Sequence, residues 1–535
     1  MAHRWSIVAA VAALLVFVAA GAVSTARGPR IIRVSTTATY QSFDPAVVFS
    51  SQYAQLANPT CAKLLTFPDQ AGPAGARLVS DVARALPSVS SDGRTYTFTL
   101  RSDFRFNTGE PVTAAHFAYV FNRILHPALS SPAAVYLEDV VGARDVLAGR
   151  AVSPTGVRVR GNRLTVRLTR RAPDFPARLA TQYFCAVPLS YPADRNAGAR
   201  PPAAAGPYYI AELEAGRRIV LRRNPHYRGQ RPRQIDEFVW LLSVPLDAIK
   251  LQVERGDTEV GYPGPASLAE IAKRYGINKS QFFVAPSLST AFLALNTQRP
   301  LFRNNVWLRR AVNFAIDRRA LLAASGGFTG KRTDQLLSPA FPGFRDVDIY
   351  PLKQPDLKKA RALARGRTRT AKAVMYTSNP TSTALARAQV VQFNLKQIGI
   401  EVEIRITPMP EPRILRSRDA PYDIWDPGMG GVEYPDPYAA LNRRFEGRFI
   451  ADRNNNNFSF FDDPKFNRKL AAAARLTGAV RVREYGELDI ELSRDAAPVA
   501  PYATGTHRLF VAANVGCVTL NPVYGVSFTT LCLKR

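Results

Sequence analysis

The chain has 535 residues, a formal net charge of +29, and 46% hydrophobic and 21% charged residues. That length exceeds one ordinary core and predicts two or three domains, while the composition excludes a disordered chain. The charge raises nucleic-acid binding, but arginine is spread through nearly every segment, without a basic tail, a zinc-finger spacing or a glycine-and-aromatic RNA motif; a solvated cationic surface, drawn towards anionic wall or lipid, is favoured.

His3 and Arg4 precede an apolar run, Ile7 to Val23, with Ala20-Gly21-Ala22 and Ser24-Thr25-Ala26 as cleavage sites. This predicts a secretory signal peptide over 1–26 and an exported protein. The run is at the lower limit of a bilayer span, so an uncleaved anchor is the other reading. No Cys follows it, so no lipoprotein anchor is expected. The four cysteines are Cys61, Cys185, Cys517 and Cys532. An even count fits two disulfides in an oxidising compartment, with three pairings open. Cys517–Cys532 would close a short loop and leave Cys61–Cys185. A zinc site finds no C-x-x-C spacing in its favour.

Ile31 to Val34 predicts a first strand. Ser91-Asp92-Gly93 is a turn, and Tyr96, Phe98 and Leu100 alternate as a half-buried strand does. Val157 and Val159, then Leu164, Val166 and Leu168, flank Gly161-Asn162, which predicts a hairpin. The segment 199–206, ARPPAAAG, reads as a linker. Residues 246–260 predict a helix and strand around Arg255-Gly256-Asp257. Ala291 to Leu295 is a short buried strand. After it, Asn304 or Asn305 can cap a helix. Leu308, Val312, Ala315 and Ile316 recur there at helical spacing, with Arg309, Arg310 and Asn313 on the outward face. Ala384, Ala388, Val391, Leu395 and Ile398 mark another helix, stopped at Gly399. Ile400, Val402, Ile404 and Ile406 alternate in a strand. Asn454 to Asn457 is a polar loop and Val480 to Arg494 a helix. Helices and strands mix throughout, which predicts α/β without a repeat.

No catalytic set is visible. The histidines are His3, His116, His126, His226 and His507, in no metal-ligand spacing. There is no G-x-S-x-G elbow, P-loop or S-x-x-K set. No enzyme, metal or cofactor is therefore expected; a secreted hydrolase assembled only in the fold is the competing class, and a cationic wall- or nucleic-acid-associated protein a third.

Two ordered blocks say more. Asn296 to Phe302 and Val306 to Arg318 read N-T-x-R-P-x-F and V-x-L-R-R-A-V-x-x-A-I-D-R; Leu100 to Ala114 reads L-R-x-x-x-x-F-x-x-G-x-P-V-T-A. With Ser42 to Pro45, Gly206-Pro207-Tyr208, Ile219 to Tyr227 and Pro498 to Tyr502, they resemble the family 5 solute-binding proteins. These are the extracellular binding components of peptide, nickel and oligosaccharide ABC transporters.

The resemblance implies a bilobed, class II periplasmic-binding-protein-like α/β fold with an extra third domain and a two-segment hinge. Lobe I would combine 27–60, 204–289 and 497–535; 61–203 would be the extra domain and 290–496 lobe II. Asn296, Arg310, Asp317, Asp436 and Pro437 are structural signature positions, and Asp81 to Leu86 matches a family helix. The site falls on Tyr422 to Pro437. Anchored on its Y-P-D-P, the acid that pairs with a peptide's α-ammonium is Glu433, one methylene longer than the family's Asp. Gly428, Met429, Gly430, Gly431 and Tyr434 complete the expected ligand-binding set. The family's Trp is missing near Met429 and Gly430, the loop is one residue longer, and Trp425 reads as core. The implied protein is a monomer that captures an oligopeptide or similar small solute and passes it to a membrane ABC permease, with no specific nucleic acid.

Overall fold

Two long strands, Phe282–Leu295 and Val499–Val511, run antiparallel through the middle of the computed structural model and join its two halves. Residues 28–48, 51–328, 330–377, 382–407 and 413–534 are described; the expected signal peptide lies outside them. No helix among the described residues is long and apolar enough to cross a membrane.

The long pair is the centre of a 12-stranded sheet. On one side, Val260–Gly261 joins Val499–Val511, followed by Ile31–Ser35 and Glu237–Leu241 in parallel, then by Arg218–Arg223 and Tyr208–Glu214. On the other, Ile424–Asp426 joins Phe282–Leu295, followed by Lys372–Thr377 and Glu401–Ile406 in parallel. Each half has its own core. Ile32, Val34, Phe238, Trp240 and Phe528 pack together in the first. In the second, the helices Val306–Ala315 and Ser382–Lys396 supply Leu308, Val312 and Val391 to one face of the sheet. Tyr422, Trp425, Phe460 and Tyr485 fill its other face. A third core, with Phe98, Phe121, Leu164 and Phe175, lies over a separate four-stranded sheet. The expected bilobed α/β architecture with an additional unit is therefore present.

Local chemistry explains most elements. The hairpin Val157–Arg160 and Arg163–Arg167 turns on Gly161 at φ 58°, a backbone conformation that glycine adopts without a Cβ penalty. Asn305, one of the two candidates, caps the Val306–Ala315 helix by accepting from Leu308 N. Asp317 caps the next helix through Ala320 N at 2.9 Å. Cys61–Cys185 and Cys517–Cys532 form two disulfides.

Three expectations are corrected. Asp81 to Leu86 is not helical. Val82 N donates to Lys63 O, and Ala83 bridges to Leu100. Pro87 also disfavours the α-region just before it. Arg309 and Asn313 do not face outward. Arg309 donates to the carbonyls of Phe302 and Ala496, and Asn313 Nδ2 to those of Arg309 and Val499. They are buried because the helix end meets the return chain at Ala496–Val499, whose carbonyls need donors. Finally, the strand expected at Ala291–Leu295 extends back to Phe282, since Pro286 and the serines 287 and 289 mask its periodicity.

Candidate functional site

The long strands do not pair evenly. The ladder skips between Pro286 and Thr290. Beside the gap, Met429–Gly431 pairs with Ser289–Ala291 on the edge of Phe282–Leu295 opposite Val499–Val511. Gly428 makes the entry turn at φ 76°, and its N–H donates to Asp426 Oδ1 at 3.0 Å. Among the described residues, Met429–Gly431 has no second strand partner. An edge of this kind can accept an extended peptide.

A recess of 430 Å³ opens at this point, within the usual range for small-ligand sites. Its walls come from all three units. Met429, Gly431, Val432 and Glu433 form one side, Ala180 to Gln182 of the third unit another, and Ala54 to Lys63 with Thr506, His507 and Tyr524 the floor. A larger depression along residues 348–358 is broadly open to solvent and lies away from this junction.

Glu433 is held but not neutralised. Tyr136 Oη donates to its Oε2 at 2.6 Å. Burial and the Glu433 charge push the Tyr136 phenol well above its ordinary value, so it stays a donor. Glu433 makes no ion pair among the described residues. The nearby Arg443 instead lies over the rings of Tyr136 and Phe449, at 5.2 and 6.0 Å. Arg444 Nη2 donates to Gly431 O at 2.9 Å, and burial pushes its guanidinium down to about 10.

Lys63 is the other notable group. It is 6% exposed, lines the recess, and its ammonium has no hydrogen bond or ion pair among the described residues. Burial, with Arg231 adding repulsion, pushes it down to about 8, against the pull of Asp81 and Asp69. His507 is also pushed down by burial, and its Nε2 donates to Pro522 O at 3.2 Å.

The expected site residues thus separate. Met429, Gly431 and Glu433 face the recess; Gly428 and Gly430 shape the strand behind it. Tyr434 turns away as a ligand contact: it is fully buried and donates to Asp174 Oδ2 at 3.0 Å, because the third unit packs directly on this side of the loop. Asp436 accepts from Tyr438 N at 2.8 Å and pairs with Arg481 at 2.7 Å, with Pro437 opening the short helix. Asn296 is buried and donates to Tyr422 O at 3.1 Å. Arg310 stacks over Trp307 at 5.1 Å. Trp425 is fully buried core against Phe458. Sequence reading missed Lys63, Tyr136 and His507. A lone lysine inside the apolar run Cys61 to Leu65 was a visible signal for the first; nothing local marked the others. No group of three or more His, Cys, Asp or Glu that could hold a metal occurs among the described residues.

Comparison with known proteins bears on the fold and the family. The probable D,D-dipeptide-binding periplasmic protein DdpA of Escherichia coli K12 is 26% identical over 487 residues, 87% of each chain. The periplasmic oligopeptide-binding protein OppA of the same organism is 25% identical over 459 residues, 81% of this chain and 82% of that one. Among solved structures, clavulanic acid biosynthesis oligopeptide binding protein 2 superposes with a TM-score of 0.83 at 22% identity, covering 95% of this chain and 96% of that one. Haemophilus influenzae OppA in complex with RPPGFSPFR gives 0.72 at 20% identity, covering 95% and 99%. The family described as bacterial extracellular solute-binding proteins, family 5 (Middle), matches residues 77–451, and the chain belongs to that family.

Proposed function

We propose that the protein is the non-catalytic, extracytoplasmic receptor of an ABC transporter and captures short oligopeptides for a membrane permease, acting as a monomer. The edge of Met429–Gly431, which has no second strand partner among the described residues and leads directly to Glu433, carries this reading. A peptide added along that edge would take main-chain hydrogen bonds from the strand. Its α-ammonium would reach Glu433 in a charge-assisted contact, and Lys63 would supply a cation for a carboxylate. The names of the relatives point to the same ligand class, and 430 Å³ suits a short peptide better than a long one.

A thermal-shift screen of peptides of two to ten residues, run beside sugars and nickel chelates, tests the assignment. A ligand that binds only the folded state raises its melting temperature. The expected outcome is a rise with short free peptides. A rise only with sugars or nickel chelates, or none with any peptide, would sink the peptide assignment.

A further inference from the structure

The four-stranded sheet of the third unit has two unlike faces. Its order is Ser88–Val89, Thr95–Thr99, Arg163–Arg167, Val157–Arg160. The inner face puts Tyr96, Phe98, Leu164 and Val166 into the core. On the outer face the register sets Arg158 opposite Thr165, Arg160 opposite Arg163, and Thr95, Thr97 and Thr99 opposite Arg167, Thr165 and Arg163. Four exposed arginines and a row of threonine hydroxyls share this face, and none of its strands carries an Asp or Glu.

Arginines on the large sheet are treated differently. Arg218 and Arg222 also stand on strands there, and each pairs with glutamates, among them Glu212, Glu214 and Glu237. Arg158, Arg160, Arg163 and Arg167 make no ion pair or side-chain hydrogen bond among the described residues. Arg160 and Arg163 are direct cross-strand neighbours, an arrangement that costs stability. The guanidinium fork matches phosphate oxygens bidentately, and hydroxyls between the forks add donors. Spread over two neighbouring strands, the array is open to solvent and not enclosed. It therefore suits a plane of phosphates better than a single enclosed anion.

We propose that this arginine–threonine face docks the protein on the surface of an anionic phospholipid bilayer. Docking there would hold the receptor near membrane-embedded partners without using the ligand recess, whose third-unit wall is Ala180 to Gln182.

Co-sedimentation of the full chain with vesicles tests it. The chain should bind vesicles of phosphatidylglycerol mixed with phosphatidylcholine, and not phosphatidylcholine alone. The combined variant Arg158→Gln, Arg160→Gln, Arg163→Gln and Arg167→Gln should lose about tenfold or more in partition, since each surface cation contributes to attraction by anionic lipid. A control with the same charge change on the second lobe, Arg319→Gln, Lys358→Gln, Arg365→Gln and Lys396→Gln, should lose less than about threefold on the same basis. Thr165→Asp, which keeps all four arginines, should behave like the first variant. Equal losses in the two quadruple variants would show that net charge, not this face, does the binding. That result, tighter binding to duplex DNA than to the vesicles at the same salt, or equal retention by phosphatidylcholine would overturn the proposal.

Discussion

At Glu433 the decisive fact is which partner the carboxylate lacks. A phenol satisfies one oxygen at 2.6 Å, while the adjacent Arg443 is committed to ring faces. The carboxylate is thus oriented, and its other oxygen makes no hydrogen bond among the described residues. Glu433→Gln keeps the shape and the Tyr136 hydrogen bond but removes the charge. It should weaken a free peptide by about 1.5–3 kcal/mol, the worth of a hydrogen bond to a charged group, and leave its N-acetylated form unchanged in calorimetric titration. Equal wild-type affinity for the free and acetylated forms would remove Glu433 from the ammonium role. Lys63 supplies the complementary test. Its ammonium opens to the recess with no carboxylate partner among the described residues, and a ligand carboxylate would supply one. Lys63→Met should weaken peptides with a free C-terminus by a similar 1.5–3 kcal/mol or so and spare their C-terminal amides. A variant that weakens both equally would make Lys63 part of the wall rather than a contact.

Among the elements, those legible in the sequence were the ones that repeat a period over several residues. Tyr96, Phe98 and Leu100, or Ala384 through Ile398, announce themselves because burial on one face is a local pattern. What escaped depended on distant neighbours. Arg309 and Asn313 occupy outward positions of their helix by spacing, yet they are buried because the chain returns at Ala496–Val499, 187 and 186 residues later. Tyr136 reaches the site from 297 residues away. The helix Gly478–Glu491 hides a further group of this kind. Asp489 is buried and accepts from Leu336 N at 2.9 Å and from Gln335 Nε2 at 3.3 Å. Burial nevertheless pushes its carboxyl up to about 7. The folded state then binds this proton more tightly than the unfolded state does. Its contribution is fully present below the ordinary value of 3.8 and is lost as pH rises through about 7. Relative to Asp489→Asn, the wild type should lose about 2–3 kcal/mol of unfolding free energy between pH 5 and pH 8, at 1.36 kcal/mol per pK unit. Parallel denaturant-derived stability curves for the two proteins would show that the carboxyl is not held up by its site.

For the whole molecule, the contacts that close the recess are as informative as the recess itself. Tyr136 to Glu433, Tyr434 to Asp174 and Arg170 to Tyr438 Oη each join the third unit to the second lobe. All three would have to break for the lobes to part, so the arrangement described is a closed one. The two long strands that carry the chain between halves skip part of their ladder at Pro286–Thr290, next to the recess. Fewer cross-strand bonds there make that stretch the natural place to bend, as in hinge closure around a ligand. A peptide bridging Met429–Gly431 and the floor, as proposed, would touch both sides only when they meet. It would therefore favour the closed state by its differential affinity. Without peptide, solution scattering should give a radius of gyration larger than the closed structure predicts, and a saturating short peptide should bring it down to that value. Tyr434→Phe separates closure from contact, because Tyr434 lies behind the recess wall. It removes one hydrogen bond made in the closed state, while Asp174 keeps its pair with Arg178 at 2.7 Å. Peptide affinity should then fall by about 1 kcal/mol, roughly fivefold, equally for free, acetylated and amidated peptides. Unchanged scattering on peptide binding, together with an unchanged affinity in Tyr434→Phe, would mean that the recess fills without any movement of the lobes.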